Sequence, residues 1–162
     1  MVRAINAKGR ALIIEREGLF LKPYPCSAKI PTIGIGTTAY PNGKKVTLKD
    51  SPITERQAYE YLDYELKEKA EILEIFCLKK GVLLNDNQFS ALLSFAYNLG
   101  CGPIIDPGRS MHQALLSGSN KQIREAFMMY TKVKKKFLGV VVMKEEKGLV
   151  IRRKREADLY FS

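Results

Sequence analysis

Three side chains near the N-terminus have the types and spacing to do chemistry together. Glu17 is followed after eight residues by Cys26, and Cys26 after five more by Thr32. A carboxyl group can give and take a proton. A free thiol, with a pKa of about 8.5, is mostly protonated at neutral pH and is a weak base that can still hold a water. A hydroxyl can brace the same water. The intervening loop carries Pro23, Pro25 and Pro31, so it should be stiff and extended. Gly34 and Gly36 leave room for a bulky chain to approach the backbone. Each residue also has a plain reading. Glu17 can simply end a helix, although an acid there sits badly against the helix dipole. Cys26 can be a spacer, and Thr32 an ordinary β-branched strand residue.

The elements that must position these groups are legible in outline. A helix is expected over 4–16, with Ile5, Leu12 and Ile13 on one stripe and Gly18 as its stop. Thr32 to Thr38 then alternates β-branched residues with glycine, and Asn42-Gly43 separates it from Lys44 to Leu48. That pattern predicts a hairpin closed by a type I′ turn. Thr54 and Gln57 have capping-box spacing for a long helix over 54–78. Asn85-Asp86 can cap a helix over 87–99 that is apolar nearly all round, as a central core helix would be. Shorter helices are expected over 111–116, capped by Ser110, and 121–130, capped by Asn120, with a last helix over 145–160. The expected class is α+β, mostly helical. A single domain, 1–162, would have a small sheet lobe of about 17–60 and a helical lobe of about 1–16 plus 61–162. The long helix joins the lobes, and the groove between them is where a ligand would bind.

Composition narrows the function classes. The 162 residues suffice for one well-filled core. No apolar run approaches the ~20 residues needed to cross a bilayer, and the N-terminus has no signal-peptide pattern. Cys26, Cys77 and Cys101 form no CxxC, and His112 is the only histidine, so no metal-ligand spacing exists. Cys77 and Cys101 read as small buried residues. The net charge is +10, and Lys132 to Arg155 holds ten basic residues against Glu145 and Glu146, a surplus of +8. Such a region suits an anionic partner, whether nucleic acid, a membrane surface or an acidic wall polymer, or else is a solvated face. Lys134-Lys135-Lys136-Phe137 could meet phosphates, but no helix-turn-helix, RRM or zinc signature accompanies it, so nucleic acid is not the expected partner.

Three blocks carry a resemblance. E-GLFLKPYP-C-SAKIP-T-IGIG has the form Glu, eight residues, Asp or Cys, five residues, Thr, running into T-x-G-x-G. LNDNQFSALLSFAYNLG is similar to a core-helix block ending Phe-Asn-x-Gly. Gly148-Leu149-x-x-Arg152-Arg153-x-x-Glu156 is the third. In this order they resemble the phage-type lysozymes, endolysins of glycoside hydrolase family 24. The resemblance implies a lysozyme-like two-lobed fold and cleavage of the β-1,4 bond between N-acetylmuramic acid and N-acetylglucosamine in peptidoglycan, without a cofactor. A non-catalytic peptidoglycan-binding scaffold on the same fold is the alternative. Glu17 would be the general acid, which calls for a raised pKa from burial or a nearby negative charge. Cys26 stands where many members have Asp to activate the attacking water, and Thr32 braces that water. Asn98 would contact sugar. Arg152 or Arg153 would lie near Glu17. Where many members have His after the second glycine, this chain has Thr37, which removes any ion pair that histidine makes. The resemblance further implies a monomer that inverts configuration and is made in the host cytoplasm. It would reach the wall through a holin-made lesion, and the basic C-terminal region could meet an anionic envelope surface.

Overall fold

The computed structural model describes residues 2–138 and 140–162. Its elements are α1 (Ala7–Glu17), β1 (Phe20–Pro25), β2 (Pro31–Gly34), α2 (Glu55–Lys80), α3 (Asp86–Leu99), α4 (Gly102–Ile105), α5 (Ser110–Ser117), α6 (Asn120–Met128), β3 (Lys132–Phe137), β4 (Val140–Glu145) and α7 (Lys147–Tyr160). The class is α+β and mostly helical, with two separate two-stranded antiparallel sheets.

The long helices begin where their caps dictate. Thr54 and Gln57 exchange side-chain and backbone hydrogen bonds at the start of α2, and Asn85 and Gln88 do the same for α3. Helix α3 buries eight consecutive residues, Phe89–Ala96, so every face of it is covered. Around it Leu73 and Phe76 of α2, Phe127 of α6 and Tyr160 of α7 complete the main core. A second, smaller cluster joins Ile13 of α1, Ile35 after β2, and Leu62 and Leu66 of α2. It fastens the first sheet to the helices, which matters because Glu17 ends α1 and the glycines follow β2.

Several local expectations are corrected. The first sheet pairs β1 with β2, in register Tyr24↔Thr32 and Pro25↔Pro31. The proline-rich loop is extended as expected, but it forms a strand, because a two-stranded sheet has free edges where proline costs no ladder bond. The expected pairing across Asn42-Gly43 shrinks to one bridge, Ala39↔Lys45. The turn is not type I′: Gly43 takes φ 82, but Asn42 is not among the residues with positive φ. The Gly43 amide donates to Tyr40 O at 2.8 Å, with Pro41 inside the turn. Ser110 does not cap α5; Arg109 occupies that position without a side-chain bond. Ser119, rather than Asn120, caps α6. The region 132–145 forms the unexpected hairpin β3–β4, so the last helix starts at Lys147, with Glu146 accepting from the amides of Gly148 and Leu149.

Candidate active site

Glu17 is the last residue of α1, and Gly18 turns the chain away with φ 75. The Glu17 side chain is about one-quarter exposed, and its Oε1 accepts from Arg152 Nη1 at 2.6 Å. Its other face rests on Gly36. A Cβ at Gly36 would stand 3.2 Å from Glu17 Oε2, and Gly36 has φ 82, so both space and backbone call for glycine there.

Arg152 is itself buried and fully used. Its Nε donates to Glu156 Oε1 at 3.1 Å and its Nη2 to Ser94 O at 3.2 Å. Ser94 Oγ donates to the same Glu156 oxygen at 2.8 Å. Arg153, next along α7, points elsewhere. It bonds the other Glu156 oxygen, the Asn98 carboxamide oxygen, and Tyr130 O at 3.2 Å. Burial pushes the Arg153 guanidinium down from its ordinary value, and Glu156 opposes that shift. Glu156 has no exposure, so two arginines neutralise one buried carboxylate, the condition under which such a charge is tolerated. The network holds Arg152 against α3 and aims one nitrogen at Glu17.

Cys26 sits in a tight turn. Its amide donates to Ile30 O at 3.0 Å, its carbonyl accepts from Lys29 N at 2.7 Å, and Lys29 takes φ 61. Slight burial pushes the thiol up, but the backbone amides of Ile30 and Ala28 and the Thr32 hydroxyl outweigh it, so the thiol lies below its ordinary value. Thr32 is buried, and its single hydroxyl proton can turn to Ile30 O, at 2.9 Å, or to the Cys26 sulfur. It is thus close to the sulfur but anchored to the turn.

Tyr24 stands in β1 opposite Thr32. Its phenol is pushed up by burial, then by the charges of Glu17 and Cys26. The ring packs against Phe20, tilted by 42° with 4.3 Å between centroids. Tyr97 braces the glycine segment from α3, its hydroxyl donating to Ile35 O at 2.6 Å.

The structure thus sets Glu17 with Arg152 just before the first sheet, and Cys26 with Thr32 at the turn of that sheet. Arg153 and Asn98 belong to the network behind Arg152. The exposed Asn98 keeps its NH2 free of hydrogen bonds among the described residues. An apolar cavity of about 650 Å³ lies elsewhere, lined by Arg3, Cys77, Leu83 and Phe89. Sequence reading missed Tyr24, Ser94, Tyr97 and the role of Glu156. Tyr24 carried one signal: it stands two residues before Cys26, which in an extended chain shares its face.

The sequence pattern of the family described as Phage lysozyme matches residues 14–156. The chain belongs to that family. Its fold is similar to the endolysin from Escherichia coli O157:H7 phage FAHEc1, with TM-score 0.77 and 32% identity over 99% of this chain and 94% of that one. It is 28% identical to the endolysin of Salmonella phage P22 over 98% of each chain. It is 29% identical to the SAR-endolysin of Haemophilus phage HP1 over 62% of this chain; that match spans half of the HP1 protein's length. All three blocks of the sequence resemblance begin within the matched residues of the family pattern, and Glu17, Cys26, Thr32 and Arg152 come from the first and last of them.

Proposed function

We propose that this phage lysozyme family member is an endolysin that hydrolyses the β-1,4 bond between N-acetylmuramic acid and N-acetylglucosamine in peptidoglycan. The observation that carries the reading is the ion pair holding Glu17 with Arg152 just before the first sheet, whose β1–β2 turn carries Cys26. Glu17 gives its proton to the glycosidic oxygen as the bond to the anomeric carbon breaks. Water attacks that carbon from the opposite face and passes its proton to Cys26, whose amide-lined turn favours the thiolate. Thr32 fixes the turn and so the water. Attack from the far face inverts the configuration. Arg152 keeps the Glu17 carboxyl in place and balances the charge it acquires.

The site divides a small lobe, about 17–60, from the rest, with α2 as the connection. Asn98 offers its NH2 to a sugar. The chain works as a monomer made in the host cytoplasm and is released through a holin-dependent lesion. No described helix is long and apolar enough to cross a membrane. The β3–β4 hairpin is the surface for an anionic envelope. Arg152 and Arg153 are buried counter-ions, so the exposed surplus of the basic region is carried largely by Lys132, Lys134, Lys135, Lys136 and Lys144 on that hairpin.

The test is the mass and anomeric form of the products released from purified peptidoglycan, with Glu17→Gln alongside. Reducing sugars of α configuration that have gained one water support the reading. Anhydro sugars would make the chain a lytic transglycosylase, and binding without release would make it a scaffold.

A further inference from the structure

The β3–β4 hairpin stands away from the core. Its base is clasped where the Glu146 amide donates to Thr131 O at 2.9 Å, and beyond that point the two strands pack mainly on each other. Its composition is divided by strand. β3 carries Lys132, Lys134, Lys135 and Lys136, whereas β4 opens with four consecutive apolar residues, Val140–Met143. The register sets Lys134 beside Met143, Lys135 beside Val142 and Lys136 beside Val141, so basic and apolar groups run side by side at one strand spacing, about 5 Å. Glu145 is the one acid in the two strands, and it sits at the base, opposite Lys132. Leu138, between the strands, is 89% exposed, and Val140, Val141 and Met143 are each more than half exposed. Single apolar residues on a surface need no explanation, but a contiguous apolar edge does. The outer edge of β4 is also unpaired, which makes it a place for another body to cover.

We propose that the hairpin docks on an anionic phospholipid bilayer, with Leu138 and Val140–Met143 entering the outer acyl layer while the β3 lysines stay on the head-group phosphates. Both halves of the hairpin select this partner. Lysines alone would suit a wall glycan or a nucleic acid, but either would leave the aliphatic side chains in water. A second copy of the chain would cover the apolar edge, but it would bring two lysine-rich strands together. A bilayer surface meets both demands, because a lysine's long stem can lie along apolar surface while its ammonium group reaches the phosphates. Entry is shallow, since the free edge of β4 carries backbone groups that the hydrocarbon interior does not accept. The inference rests on the reading of the hairpin as the envelope-facing surface and names the component it meets.

The experiment is co-sedimentation of the full chain with vesicles of phosphatidylcholine alone and of phosphatidylcholine with phosphatidylglycerol, beside purified peptidoglycan. Binding should be at least about tenfold tighter to the vesicles that hold phosphatidylglycerol. Lys134→Glu with Lys136→Glu should weaken that binding about tenfold or more, and so should Leu138→Ser with Met143→Ser. Circular dichroism and thermal unfolding check that both double variants are folded. The chain has no tryptophan, so Val141→Trp places a single reporter on the β4 edge. Its emission should move to shorter wavelength on the phosphatidylglycerol vesicles and be quenched by brominated acyl chains. Binding that the serine pair leaves unchanged, or a Val141→Trp emission that does not move, would overturn the proposal, because the contact would then be electrostatic alone. Self-association without vesicles that the serine pair abolishes would overturn it too, since a second copy would then cover the edge. Binding to peptidoglycan but not to vesicles would overturn the lipid partner and leave the envelope-facing reading standing. Binding to neither would overturn both.

Discussion

Arg152 and Glu17, 135 residues apart in sequence, meet at 2.6 Å through one guanidinium nitrogen whose neighbours are committed to Glu156 and Ser94. The ends of the chain thereby close on the same point. The ion pair is a junction between α1, α3 and α7 rather than an isolated surface bridge.

That junction predicts the effect of losing Arg152. Arg152→Ala removes one of two counter-ions from the buried Glu156. It should cost about 3 kcal/mol or more of stability and most of the activity. Arg152→Lys keeps the charge but lacks the planar fork. It should retain more stability than Arg152→Ala yet still lose about tenfold or more in kcat, because Glu17 is no longer fixed. Thermal unfolding beside kcat separates the two effects.

Cys26 predicts a pH dependence. The thiol lies below its ordinary value, so the thiolate, and a rate that depends on it as base, should appear at lower pH than for an unperturbed thiol. Cys26→Asp should stay active and lose this dependence, since its carboxylate is already ionised. Cys26→Ala should lose most activity. Alkylation should inactivate wild type and spare Cys26→Asp; equal inactivation of both would move the critical thiol to Cys77 or Cys101.

Gly36→Ala should damage function beyond its cost in stability. Its φ of 82 is unfavourable for alanine, by about 1–2 kcal/mol. The new methyl group also stands 3.2 Å from Glu17 Oε2 and must displace the carboxyl. Activity at matched folded concentration should fall at least tenfold, as small misplacements of a reacting group do.

The hairpin predicts a charge effect separable from turnover. Lys134→Glu with Lys136→Glu should weaken binding to anionic envelope preparations at low salt and leave turnover of small soluble fragments unchanged. The difference should vanish at high salt, where screening removes the attraction.

What could be read from the residues alone follows the range of the interactions involved. Thr54 with Gln57 and Asn85 with Gln88 announce their helices because a cap is settled within four residues. The spacing of Glu17, Cys26 and Thr32 was legible through the family pattern; Thr32 lies in β2, Cys26 in the turn between the strands, and Glu17 ends α1 just before β1. Arg152 could not be told from Arg153, since neighbours on a helix differ only in direction, about 100° apart. Packing of α7 on α3 decides which faces Glu17. The hairpin β3–β4 escaped because its strand KVKKKF is lysine-rich, and lysine has little strand preference. Its pairing depends on a cross-strand register, Lys134↔Met143 and Lys135↔Val142. Ser94 and Glu156 acquire their role only where α3 and α7 meet, through the bonds that Ser94 makes to Glu156 and Arg152.

The most direct test of the central claim is clearing of outer-membrane-permeabilised Gram-negative cells by wild type beside Glu17→Gln, at matched folded concentration. Clearing by wild type alone is the predicted result and makes Glu17 the proton donor. Equal clearing by both proteins, or by neither, would contradict it.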